Sequence, residues 1–248
     1  MRIDVLFGGA AVGPGDVAGR VVGVIDVLRA SSSIAAALAN GARTVIPLES
    51  PDEVVTRAKA FERADVRLAG ERRMLAIPGF DLGNSPSEFT REAVEGKTVL
   101  LTTTNGTPAI TNTQGARDVV VASYVNYTAV LTMLRAALRG GADITLVCAG
   151  RERQFALEDA GCAGRYVNNV AKRLASVELN DAAQACALID RKYGDHVIRL
   201  LEASTHGRAL VDAGFAHDIA ACASIDAYPV IPLYQERQIT KLGPERER

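Results

Sequence analysis

The chain has 248 residues, room for one large or two small domains, and its 48% apolar and 23% charged residues are the balance of a globular protein with a sizeable core. A formal net charge of −1, with Lys and Arg spread along the chain, argues against a nucleic-acid footprint. No apolar run approaches the roughly 20 residues a membrane span requires, and Met1–Val5 reads as a first strand, not a signal peptide.

The run Val21–Ile25 is the next strand, and it breaks into the polar turn Asp26–Ser33 before an alanine-rich helix through Asn40. A buried strand, a polar turn and a helix start together make an anion site, because the first helical N–H groups are unpaired and the helix end is partially positive. Asp26 puts a carboxylate at the strand's C-terminal end, where open α/β sheets place ligands, and Arg29 adds a planar cationic fork. Gly41–Ile46 leads into another strand, Asp52–Arg63 into a helix, and a third strand ends in Leu68-Ala69-Gly70-Glu71-Arg72. The connection Ile77–Phe89 is rich in turn formers and long enough to fold over a site as a lid.

A second set of the same parts follows. Gly41-Ala42-Arg43-Thr44-Val45-Ile46 recurs as Gly115-Ala116-Arg117-Asp118-Val119-Val120. Ahead of the repeat lie the strand Thr98–Leu101 and the turn and short helix Thr102–Gln114. Behind it lie the helix Asn126–Arg139 and a strand ending in Cys148-Ala149-Gly150-Arg151-Glu152-Arg153. Two β-α-β-α-β units predict an α/β fold of three layers, a mainly parallel sheet flanked by helices, with duplication as its origin. The expected division is an α/β region over 1–153, with similar halves at about 21–72 and 96–153, and a mainly helical part over 154–248 that completes the site. In a parallel sheet the four turns at 26–33, 70–73, 102–107 and 149–153 gather at one edge, and the active site is expected there.

The remaining chain reads as a helix from Phe155 to about Ala175, helices at Asp181–Tyr193 and Asp195–Glu202, a polar turn at Ser204–Arg208 before Ala209–Ala213, an extended Asp226–Pro232, and a charged tail from Lys241. Cys148, Cys162, Cys186 and Cys222 lack C-x-x-C spacing, so reduced thiols in a cytoplasmic protein are expected.

Seven strings in this order carry a resemblance: Asp26-Val27-Leu28-Arg29-Ala30-Ser31, Ala69-Gly70-Glu71-Arg72, Gly79-Phe80-Asp81-Leu82-Gly83-Asn84-Ser85-Pro86, Thr102-Thr103-Thr104-Asn105-Gly106-Thr107, Cys148-Ala149-Gly150, Leu157-Glu158-Asp159 and His206-Gly207-Arg208. On these the chain resembles the 2-phosphosulfolactate phosphatase family from about Val21 to Pro232. The resemblance implies a phosphoric monoester hydrolase that uses Mg2+ to release phosphate from 2-phospho-3-sulfolactate, a step of coenzyme M biosynthesis.

The residues fit such chemistry on their own terms. Phosphoryl transfer requires charge stabilisation, an in-line nucleophile and help for the leaving oxygen. Magnesium prefers one or two carboxylates plus water and substrate phosphate, and Asp26, Glu71, Glu158 and Asp159 are the acids at the predicted turns. Asp26, Arg29 and His206 are the catalytic candidates, with Asp26 open between metal ligand, nucleophile and base. Ser31, Ser32 and the Thr104-Asn105-Gly106 turn are the phosphate candidates, while Arg72 and Arg208, with His206, are left for the carboxylate and sulfonate.

No C-x5-R loop starts at any cysteine, Cys148 reads as a buried small hydrophobe, and Leu28 stands where a D-x-D phosphatase would have its second aspartate. The expected partner is a small anionic phosphoester, with no nucleic acid or membrane, and a homodimer is the expected assembly. Two other readings share the motifs: a protein that binds an anionic metabolite without turnover, and a phosphatase for another small ester such as phosphoglycolate or phospholactate. The surplus of acids beside the anion site speaks against a pure phosphate binder.

Overall fold

A computed structural model describes residues 1–9, 12–152, 154–172, 174 and 176–243. Arg153 and Ala175, where the sequence places the end of a turn and of a helix, lie outside the described residues, as does the charged tail beyond Gly243.

The apolar runs form the strands β1 (Arg2–Phe7), β2 (Val21–Ile25), β3 (Thr44–Pro47), β4 (Val66–Arg72), β6 (Thr98–Thr102), β7 (Asp118–Ala122) and β8 (Ile144–Cys148). All pairings among these seven strands are parallel. Short strands β5 (Leu75–Ala76) and β9 (Glu178–Leu179) close the edges, and the hairpin β10 (Pro232–Gln235) and β11 (Gln238–Lys241) completes an 11-stranded sheet of order β5-β4-β6-β3-β11-β10-β7-β2-β8-β1-β9. The central strands are buried on both faces, as continuous Val/Ile/Leu runs require. Val21 and Ile25 face one core and Val22 and Val24 the other, the two-residue alternation of a strand.

Helices α6 (Tyr127–Arg139), α7 (Leu157–Val170) and α8 (Asp181–Tyr193) pack on the first face. Helices α2 (Ala30–Ala39) and α5 (Gly106–Thr111) pack on the second, and α3 (Pro51–Ala58) covers the outlying strands β3, β4 and β6. The expected three-layer, mainly parallel α/β fold is what forms. Residues Ala30–Leu38 are all buried, so α2 is an internal helix, and its sequence ASSSIAAALA carries no charge.

The two units do not sit side by side. β2 lies between β7 and β8, and β6 lies between β3 and β4, so each half inserts its first strand between the second and third strands of the other. The registers match: Val21 is opposite Asp118 and Ile144, and Thr98 is opposite Thr44 and Val66.

Two segments differ from the sequence expectation. The β10–β11 hairpin, over residues 233–240 that the sequence leaves unassigned between the extended Asp226–Pro232 and the tail from Lys241, enters the middle of the sheet antiparallel to β7 and β3. Ser204–Arg208 is not a turn. Ser204 caps α10 (Thr205–Asp212), its Oγ accepting the Gly207 N–H at 2.8 Å, and His206 stands in the first helical turn.

Among the described residues no helix is long and apolar enough to cross a membrane. The four cysteines are free and buried.

Candidate active site

The parallel strands bring the four polar turns to one edge. There a cleft of about 270 Å³ is lined by Asp26, Leu28 and Arg29 from the turn after β2, Glu71 from the end of β4, Arg73 and Met74 from the turn after it, Thr104 and Asn105 after β6, and Arg151 and Glu152 after β8. Asn84 of the 77–89 connection and His206 of α10 complete the lining. The connection is no free lid: Ser33 Oγ donates to the Asn84 carbonyl at 2.7 Å, and the Ser85 hydroxyl donates to Asp218 of α11 (Ala216–Ala223).

Asp26 is 6% exposed, and its Oδ1 accepts the Ala30 N–H at 3.3 Å at the start of α2. Its carboxyl is pushed up to about 7, first by burial; His206 pulls the other way, and the neighbouring acids Glu71 and Glu158 add to the rise. Gly106 lets the start of α5 approach this carboxylate. A Cβ there would lie 2.6 Å from Asp26 Oδ2 and 2.5 Å from the Ala30 methyl.

Arg29 is buried beside it, at the cis Leu28–Arg29 peptide. Its Nη1 donates to Asp218 Oδ2 at 2.7 Å, its Nη2 donates to the Met74 carbonyl at 2.6 Å, and its guanidinium lies 4.4 Å from the Phe215 ring centroid. The fork is thereby fixed in the cleft wall with other N–H groups left to donate. His206 sets Nδ1 3.1 Å from Glu158 Oε1, so Glu158 orients the ring. Both residues also line a second cavity of about 200 Å³, shared with Arg151.

The four candidate metal acids divide into two kinds. Glu71 accepts the Thr104 N–H at 2.7 Å and the Met74 N–H at 2.9 Å, and Asp159 accepts the Val27 N–H at 2.9 Å and the Gly150 N–H at 3.0 Å. Both oxygens of each acid fasten loops, and neither Asp159 nor Glu158 lines the cleft itself. Burial, with Glu158 and Asp26 adding, also pushes the Asp159 carboxyl well up.

Glu158 differs: it is 1% exposed, and its Oε2 has no hydrogen-bond partner among the described residues. The same is true of Asn84 Oδ1 in the cleft wall. No group of three acidic, His or Cys side chains among the described residues is arranged to hold a metal ion. Of the four acids, Asp26 in the cleft and Glu158 in the adjoining cavity are the ones with an oxygen free of hydrogen bonds among the described residues, the donor type a divalent cation takes together with water and phosphate.

Four other sequence candidates are directed elsewhere. Ser31 Oγ accepts the Asp26 N–H and donates to the Val24 carbonyl, and Ser32 Oγ donates to the Val27 carbonyl and meets Ser123 Oγ at 2.9 Å. These hydroxyls are spent inside the buried first turn of α2. Arg72 turns to the Glu71 and Glu49 carbonyls and Thr102 Oγ1, and Arg208 lies on the surface against the Ala203 carbonyl. The cations that line the cleft are Arg29, Arg73 and Arg151. Arg73 and Arg151 stand in the recognised turns, but the sequence gives no sign of which arginine in each turn faces inward. Cys148 is fully buried and its thiol is pushed well up by burial, which leaves no thiolate nucleophile there.

A parallel α/β sheet with acids, arginines and helix starts at its C-terminal edge defines an enzyme of small anionic substrates. Residues 12–237 match the family described as 2-phosphosulpholactate phosphatase. A probable 2-phosphosulfolactate phosphatase of Symbiobacterium thermophilum is 41% identical over 92% of this chain and 96% of its own. Proteins of the same designation from Clostridium botulinum (35% identical over 98% of this chain and all of their own) and Thermotoga maritima (38% over 86% and 88%) are also similar. The chain belongs to the 2-phosphosulfolactate phosphatase family, and so to the phosphoric monoester hydrolases.

Proposed function

We propose that the protein hydrolyses 2-phospho-3-sulfolactate, or a close 2-phospho-hydroxy acid, to the hydroxy acid and phosphate, and that it uses Mg2+. The observation that carries this reading is the convergence on one cleft of Asp26, Arg29 and His206, whose ring Glu158 orients from the adjoining cavity. A pure anion binder has no use for a buried carboxylate at the centre of its cationic site. Arg29 donates to the phosphoryl oxygens, and the Thr104–Asn105 turn lies against them. The leaving oxygen belongs to a hydroxy acid and is strongly basic, so it requires a proton; His206, held through Nδ1 by Glu158, supplies it from Nε2.

Asp26 holds the attacking water and takes its proton as the new oxygen–phosphorus bond forms and the ester bond breaks, and with Glu158 it is the carboxylate that would hold Mg2+. When bound, that ion supplies Lewis-acid neutralisation of the phosphoryl charge.

The test is a phosphate-release panel of 2-phospho-3-sulfolactate, 2-phospholactate and phosphoglycolate, each with and without EDTA. Release from the sulfonated ester that stops with chelator is the expected result. Equal rates in EDTA would remove the metal, and no release from any ester would favour the binding protein. A phosphoryl group trapped on Asp26 would make that residue the nucleophile in place of water.

A further inference from the structure

Two arginines without a task in that chemistry stand at the mouth of the cleft. Arg73 occupies the tip of the β4–β5 hairpin, exposed, and makes no hydrogen bond or ion pair with the described residues. Its φ is 51° and that of Met74 is 72°. Two successive left-handed residues are the mark of a tight hairpin turn that Asn-Gly fills at least cost, and a bulky pair there is strained. The strain is held from both ends: the Met74 N–H donates to Glu71 Oε2, and the Met74 carbonyl accepts from Arg29. A turn kept at such cost, with its one cation on the cleft, calls for a functional reason.

Arg151 comes from the corresponding turn of the other half, after β8. It too is followed by a left-handed non-glycine residue, Glu152 at φ 52°, whose N–H is pinned to Asn105 Oδ1 at 3.1 Å. Arg151 reaches the Thr205 carbonyl beside His206 and lines both cavities that His206 lines.

We infer that these two arginines read the parts of the substrate that are not transferred, Arg151 the carboxylate and Arg73 the sulfonate. The inference rests on the phosphatase reading above. The carbon that carries the ester oxygen also carries the carboxylate, so the anion nearest the proton donor His206 is the carboxylate, and Arg151 is the cation beside His206. The sulfonate is one carbon further out, at the rim, and Arg73 is the exposed rim cation. A guanidinium fork matches the paired oxygens of either group. Discrimination between a sulfonated and an unsulfonated ester is then a property of the strained hairpin, separate from the catalytic centre.

The experiment compares kcat and KM for 2-phospho-3-sulfolactate and 2-phospholactate in the wild type, Arg73→Asn and Arg151→Gln. Asn is at home at a positive φ, so Arg73→Asn keeps the turn and the fold. It should raise KM for the sulfonated ester by roughly 10- to 100-fold and leave 2-phospholactate within about 3-fold, so that discrimination collapses. Arg151→Gln should weaken both esters alike.

A second arm, in EDTA, follows the melting temperature with the products 3-sulfolactate and lactate. The wild type should be stabilised more by 3-sulfolactate, and Arg73→Asn should lose that difference. Equal losses on both esters in Arg73→Asn, no loss on either, or a sulfonate-specific loss in Arg151→Gln would overturn the assignment. A wild type that releases phosphate from neither ester would sink the phosphatase reading alone, and the product-binding arm would still decide for or against the rim.

Discussion

Asp26 is held where a negative charge is hardest to keep, 6% exposed, with Glu71 and Glu158 near enough to repel it. Its carboxyl rises from 3.8 to about 7. Between these values the folded protein holds a proton that the unfolded chain has released, so stability falls as pH rises through the window from about 4 to about 7. The cost at pH 8 is at most ~4 kcal/mol. Asn keeps the shape and accepts the Ala30 N–H about as well, without the charge. In EDTA, Asp26→Asn should therefore melt close to the wild type at pH 4 and several degrees above it at pH 8, while phosphate release is lost. A gap that does not widen with pH would show that the carboxylate is not desolvated in solution.

The place of Asp26 in the cleft was legible, because a strand runs into an acid, an arginine and three serines within eight positions. The roles of Ser31 and Ser32 were not: α2 is buried all round, and there a hydroxyl finds only carbonyls and other hydroxyls to bond. Nor does spacing tell Arg72 from Arg73, since a left-handed turn decides which of the two faces the cleft.

At the scale of elements, the site depends on the starts of α2 and α5 meeting across one glycine. With Ala30 and Asp26 on one side and Gly106 on the other, there is no room for a methyl group. Gly106→Ala must push α5 away from Asp26 or turn the carboxylate aside. Overpacking of this kind costs about 1–3 kcal/mol. Because the displaced group is Asp26 itself, activity should fall by at least ~100-fold, the penalty for misplacing a reacting group by about an ångström. Melting curves and kinetics on the folded variant check both figures; near-normal turnover would mean that α5 is not part of the site's frame.

The elements around the cleft could be read from strand–turn–helix alternation. Two others could not. The β10–β11 hairpin, PLYQ and QITK, is too short and polar to announce a central position, and it earns that place through two-sided pairing with β7 and β3. The Ser204–Arg208 string reads as a turn by composition, yet its serine is a helix cap.

At the scale of the molecule, the repeat was visible as a recurring Gly-Ala-Arg segment, but repetition along a chain does not say how the copies are joined in space. They exchange strands. Among the described residues, the one pair of strands before the exposed Pro78–Gly79 bend that form hydrogen bonds with each other is β4 and β5. β1, β2 and β3 take all their partners from the later part of the chain. Residues 1–78 thus hold nearly half of the sheet's strands and almost none of its pairing. β2 in that fragment is apolar on both faces, and alone the fragment has no means to bury them.

Expressed separately, residues 1–78 and 79–248 should each lack a cooperative melting transition. Co-expressed, they should copurify as a complex with the far-ultraviolet dichroism of the intact protein and recover phosphate release, because the break falls in an exposed bend and leaves every parallel pair available. A fragment 1–78 that melts cooperatively by itself would show that each half carries its own core and that the exchanged strands are an ornament of the fold. Failure of the co-expressed pair to associate would show instead that the closed connection at 77–89, fastened to Asp218 through Ser85, must be in place before the strands can exchange.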